Sequence, residues 1–155
     1  MRIAIGSDTA TDLTEAILEE VQKRGHTVLQ FGPLQMNEAA RDWPLVAADV
    51  AWAVAKEDAE EGIVCCWTGT GVSIAANKVP GIRAALVADA ETARGARVYN
   101  HANMLALSLR ATTVPIMREI LEAWFATPIS EGEAQSDWNR QQIARVEELE
   151  RAQRM

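Results

Sequence analysis

Short apolar runs alternate along this chain with longer stretches whose apolar residues recur every three or four positions, and polar turn residues separate the two. The short runs read as strands and the longer stretches as helices; their regular alternation marks a parallel sheet with helices on its faces. Arg2 to Gly6 is the first predicted strand, ending in the turn residues Gly6, Ser7 and Asp8. Thr11 to Arg24 follows as a helix, with Leu13, Ile17, Leu18 and Val21 at core spacing and Gly25 to end it. Thr27 to Phe31 is a second strand, broken by Gly32-Pro33. Asp42 is placed to cap a helix from Trp43 to Lys56, with Pro44 in its first turn.

Gly62 to Trp67 is apolar throughout, as a central parallel strand should be, and the loop Thr68-Gly69-Thr70-Gly71 leads into a short helix from Val72 to Lys78. Ile82 to Val87 and Met104 to Leu107 complete the strands, with a helix between them that Asp89 caps and that runs to Val98. Thr113 opens a helix to Phe125, Thr127 to Gln135 is a loop, and a polar helix from Asp137 to Arg154 closes the chain. That last helix carries a thin stripe of Trp138, Ile143, Val146 and Leu149, suited to packing on the same subunit or on a partner. The predicted fold is α/β: a Rossmann-like three-layer sandwich on a five-stranded parallel sheet with a C-terminal helix. With no repeat or boundary in its 155 residues, the chain reads as a single domain.

Charge narrows the partners. A net charge of −7 repels nucleic acid and anionic membranes and turns attention to a small-molecule ligand. No stretch reaches the ~18 apolar residues of a spanning helix. The start, MRIAIGSDTA, lacks the form of a signal peptide, so the expected compartment is the cytoplasm. Cys65 and Cys66 are neighbours and no spaced Cys/His cluster accompanies them, so neither a structural disulfide nor a metal site is expected.

Open parallel sheets bind ligands beyond the carboxyl ends of their strands, where strand order reverses. Three places near strand ends carry polar groups: Ser7-Asp8, Cys65-Cys66 with the glycine loop, and Asn100 with Asn103 before the fifth strand. Adjacent strand residues face opposite sides, and Cys66, nearer the strand end, is the better site candidate. The amides of Gly69, Thr70 and Gly71 open a helix and suit a phosphate or an enediolate oxyanion; a simple tight turn needs the same glycines. A thiol beside them suits a nucleophile or a proton-abstracting base, whereas most buried cysteines only fill the core.

The stretch Gly62 to Arg83, GIVCCWTGTGVSIAANKVPGIR, resembles the signature segment of the ribose-5-phosphate isomerase B and galactose-6-phosphate isomerase family. GSD at Gly6 to Asp8, DWP at Asp42 to Pro44, and the asparagine-rich run from Asn100 to Arg110 fall in the same order as the family's other motifs. The resemblance implies aldose–ketose isomerisation of a sugar or sugar phosphate through an enediolate, without metal or organic cofactor. It gives Cys66 the role of proton-transfer base, Thr68 that of its assistant, and the amides of Gly69 to Gly71 that of oxyanion site. Asp8 and Asn100 would hold sugar hydroxyls. A homodimer or dimer of dimers, with sites near the subunit interface and the C-terminal helix packed there, is also implied.

Several positions differ from the family pattern. Thr9 stands where the family has a histidine, Tyr99 replaces its ring-opening histidine, and Trp43 and Trp67 replace a tyrosine and a glycine. Trp138 and Gln142 align with two phosphate-binding arginines, with Arg140 or Arg145 as substitutes, while Arg110 remains. Tyr99 or His101 is then expected to assist ring opening, and Thr9, Trp43, Trp67 and Arg110 to line the substrate. Aromatic faces pack on the C–H faces of sugars, whereas phosphate calls for Arg or Lys, so the expected substrate is not plain ribose 5-phosphate. The same machinery serves an epimerase. A catalytically silent sugar-binding relative is the reading from outside enzymes; in it Trp43 or Trp67 fills the pocket.

Overall fold

The computed structural model describes residues 1–35 and 42–155. Its strands are β1 (Arg2–Ser7), β2 (Thr27–Phe31), β3 (Glu61–Cys66), β4 (Ala84–Leu86) and β5 (Met104–Ser108). The helices are α1 (Asp12–Lys23), α2 (Trp43–Ala55), α3 (Thr70–Ala76), α4 (Ala90–Asn100), α5 (Val114–Phe125) and α6 (Asp137–Gln153). All strand pairs are parallel and the order is β2-β1-β3-β5-β4, the predicted Rossmann-like sandwich. The chain steps outward from β1 to β2, then crosses back to β3 on the other side of β1. Strand order therefore reverses between β1 and β3, and the crevice beyond their carboxyl ends is where such a sheet binds ligands.

Two apolar layers hold the sandwich together. Ile3, Ile5, Ile63, Leu105 and Leu107 face α1, α4 and α5, where Ile17, Ala93 and Leu121 are buried with them. Ala4, Val64, Cys66 and Ala106 face α2 and α3, meeting Val50, Ala51 and Val72. Period-two alternation on β3 thus sends Cys65 to one layer and Cys66 to the other, as the sequence requires. Burying sides of this kind contributes about 1.5–3 kcal/mol for each large aliphatic residue.

Most predicted elements appear with shifted ends. β3 begins at Glu61, whose charge hid it from an apolar pattern, and stops before Trp67; α3 begins at Thr70, and β4 keeps only three of its predicted residues. α4 runs on to Asn100, and the loop before α6 contains a short 3-10 turn at Gly132–Gln135. Asp42 is the N-cap of α2 but makes no side-chain cap bond. Pro44 has removed one donor, and the Asp42 backbone carbonyl accepts from Leu45 and Val46 instead, both at 3.0 Å. His26 is half-buried and packs on Phe125 at 4.6 Å between ring centroids.

Candidate active site

Register brings the first two sequence candidates together. Ser7 pairs with Cys65, so Asp8 stands beside Cys66 at the point where strand order reverses. Cys66 is nearly enclosed, 5% exposed, on the α2/α3 side. Burial pushes the Cys65 thiol up to about 12, with the neighbouring Cys66 and Asp8 adding to the shift, so Cys65 stays a neutral core group near pH 7. Asp8 is half-buried, and its Oδ1 is fully enclosed without a hydrogen-bond partner among the described residues. Desolvation raises its pKa above the ordinary 3.8, against smaller lowering contributions from Thr9 and its own backbone. A carboxylate oxygen left unpaired at this crevice keeps its capacity to accept a hydrogen bond.

The glycine loop closes over the carboxyl ends of β3 and β5. Gly69 has φ of +76°, and a Cβ there would stand 2.6 Å from the Leu86 side chain and 2.9 Å from the Leu107 backbone, so only glycine fits. Thr68 is exposed, and its Oγ1 lies 2.7 Å from Oγ1 of Thr70. The first amides of α3 have no carbonyl within the helix to receive them. Trp43, at the start of α2, lies over this loop, its ring 3.0 Å from where a Gly71 Cβ would be. β5 anchors the other edge: Ser108 Oγ donates to the Trp67 carbonyl at 2.9 Å, and Arg110 N–H donates to the same carbonyl at 3.1 Å. Asp8, Thr9, Trp43, Cys66, Trp67, Thr68, the loop and Arg110 therefore share one end of the sheet. Trp43 and Trp67 are 42% and 65% exposed and rim this end rather than filling it.

Tyr99, Asn100 and His101 do not join them within one chain. They end α4 and lead into Met104, which pairs with Gly62 at the amino-terminal end of the sheet. Cys66 lies four residues further along β3, about 13 Å away along the strand. His101 adopts φ of +47°, is buried, and its Nε2 donates to the Ala134 carbonyl at 2.6 Å. Tyr99 is 46% exposed. With Asn100, Gln142 and Arg83 it lines a groove of about 560 Å³ between β4 and α6. Of the C-terminal stripe only Ile143 is buried in this chain; Trp138, Val146 and Leu149 are exposed. Arg97 forms a buried salt bridge with Glu61. Sequence reasoning also passed over Ser108 and Arg83, although Arg83 lies within the motif GIR.

A family model described as Ribose/Galactose Isomerase matches residues 3–141. The D-erythrulose-4-phosphate isomerase of Pectobacterium atrosepticum is 39% identical over 127 residues, covering 80% of this chain and 82% of that protein. The galactose-6-phosphate isomerase subunit LacB of Clostridium acetobutylicum is 38% identical over 125 residues, 80% of this chain and 71% of the relative. Among solved structures, ribose-5-phosphate isomerase B of Clostridium thermocellum superposes with a TM-score of 0.86 at 37% identity, covering 98% of this chain and 99% of that one.

Proposed function

The chain belongs to the ribose/galactose isomerase family, and from that premise we propose that it is an aldose–ketose isomerase in which Cys66 moves the proton. The observation that carries this reading is the pairing of Ser7 with Cys65, which sets Asp8 and Cys66 at the ends of neighbouring strands where strand order reverses, with Thr68 and the loop amides directly following. The Cys66 thiolate takes the proton from the carbon next to the substrate carbonyl, and the electron pair moves to the carbonyl oxygen to give an enediolate. Thr68 and the amides of Gly69 to Gly71 receive that oxyanion, the neighbouring hydroxyl passes its proton to it and becomes the new carbonyl oxygen, and the thiol returns its proton to the former carbonyl carbon. Donors fixed before the charge develops are worth on the order of 10²-fold or more each. Asp8, with an unpaired oxygen, accepts from a sugar hydroxyl.

The working unit is a homodimer, cytoplasmic, with each site completed by the other subunit. Tyr99 and Asn100 lie at the far end of their own sheet, are exposed, and carry the groups a sugar site still requires. Tyr99 is the ring-opening group in this reading, because His101 Nε2 is already committed to Ala134. Exposed Trp138, Val146 and Leu149 on α6 support its packing against the partner. The substrate is a sugar or sugar phosphate other than plain ribose 5-phosphate, bound between the Trp43 and Trp67 rims with Arg110 at its anionic or hydroxylated end.

Incubation in D2O with a panel of aldoses, ketoses and their phosphates tests the chemistry. Deuterium at the carbon next to the carbonyl together with the isomeric sugar, both lost in Cys66→Ala, is the expected result. Label with inversion but no isomer indicates epimerisation, and binding without label across the panel contradicts catalysis.

A further inference from the structure

The corner that carries Tyr99 and Asn100 is held in an unusual conformation by groups that take no part in the chemistry. α4 ends at His101 in the left-handed region, where a residue with a side chain stays only if its surroundings hold it. Arg83 holds it most directly: its Nε donates to the His101 carbonyl at 2.9 Å. The Arg83 backbone is locked to the same corner. Its N–H donates to Asn103 Oδ1 at 2.8 Å, its carbonyl accepts from the Asn103 N–H at 3.0 Å, and Asn103 Nδ2 donates to the Gly81 carbonyl at 2.9 Å. Arg83 also lines the groove that Tyr99 and Asn100 line, and among the described residues its two Nη atoms make no hydrogen bond to protein.

We propose that Arg83 is a positioning residue for the isomerase site: by fixing the His101 carbonyl it sets the direction in which Tyr99 and Asn100 project toward the second subunit. The inference rests on the two-subunit reading above. A planar guanidinium suits the task because Nε–H has one fixed direction, whereas a lysine ammonium rotates freely and carries only charge. Glu147 and Glu150 act on Arg83 at longer range, and Glu150 Oε1 is already occupied by the Gly81 N–H at 2.6 Å. Among the described residues the guanidinium is thus placed by its carbonyl partner and by no ion pair.

The test is a double-mutant cycle on the full-length enzyme with Arg83→Gln, Arg83→Lys, Asn100→Ala and the doubles of each Arg83 variant with Asn100→Ala, following kcat, KM and Tm. Misplacing the corner should lower kcat/KM on the order of tenfold or more in either Arg83 variant. In the Asn100→Ala background, both Arg83 substitutions should add little, because the group they aim is gone. Full additivity overturns the proposal, as does wild-type activity in Arg83→Lys, which would assign the role to charge alone. Should Arg83→Gln fail to fold, Arg83→Lys and its double with Asn100→Ala decide the matter by themselves. Unchanged turnover in Asn100→Ala alone overturns the two-subunit reading and with it the proposal, an outcome distinct from additivity with an impaired Asn100→Ala.

Discussion

At the amino-terminal end of β3, Glu61 is buried with both carboxylate oxygens taken. Arg97 Nη2 donates to one at 2.6 Å and Trp124 Nε1 to the other at 2.7 Å. The guanidinium lies over the Trp124 ring at 4.6 Å and spends its other nitrogens on the carbonyls of Thr127 and Ala102. At the carboxyl end of β1, Asp8 is also drawn inward, yet its enclosed Oδ1 meets no donor. Both ends draw a carboxylate inward; only at the first are both oxygens paired among the described residues. A polar group saturated by the chain serves the fold, while one left unsaturated beside a thiol and a glycine loop keeps an acceptor to spare.

Removing the key group at each end should break different properties. Cys66→Ala should lower turnover by about 10²- to 10⁴-fold, the usual share of a positioned base, with Tm close to wild type. A comparable loss of stability would instead make Cys66 a core filler. Glu61→Ala should do the opposite, costing about 3–5 kcal/mol in denaturant unfolding because Arg97 is left buried without its counter-charge. An ordinary surface-like cost would mean that solvent reaches the pair.

Asp8→Asn should give the smallest effect and sharpen the contrast. The folded pKa of Asp8 is raised, so ionisation is disfavoured in the folded state. Its neutral form is therefore favoured there, and wild-type stability falls as pH rises through 3.8 toward the raised folded value. Asp8→Asn lacks this loss, so it should gain on wild type across that window and hold a constant small advantage above it, with impaired turnover. Denaturation midpoints at several pH values check the sign.

How much of this was readable in advance follows from the same contrast. The strands, the alternation of Cys65 and Cys66 across the sheet, and the glycine loop are local patterns, and they lie close to where they were predicted. Glu61 and Arg97 are separated by 36 residues, and Trp124 stands 63 beyond Glu61, so nothing local announces their meeting. The family resemblance, and no local pattern, puts Asn100 and Cys66 in one site. Only the direction of α4, antiparallel to the strands it connects, sends them to opposite ends of the sheet. Asp42 looked like a side-chain cap until Pro44 is seen to have removed a donor.

The central claim is that the base at one end of the sheet works with Tyr99 and Asn100 from the other end of a second chain, and subunit mixing tests it directly. Cys66→Ala and Asn100→Ala should each be nearly inactive as pure dimers. When the two are unfolded together and refolded, half of the dimers combine both chains, and each of these holds one intact site. Activity should return to about a quarter of wild type. Hybrid dimers that form, as shown by native mass spectrometry, yet remain inactive would contradict the account.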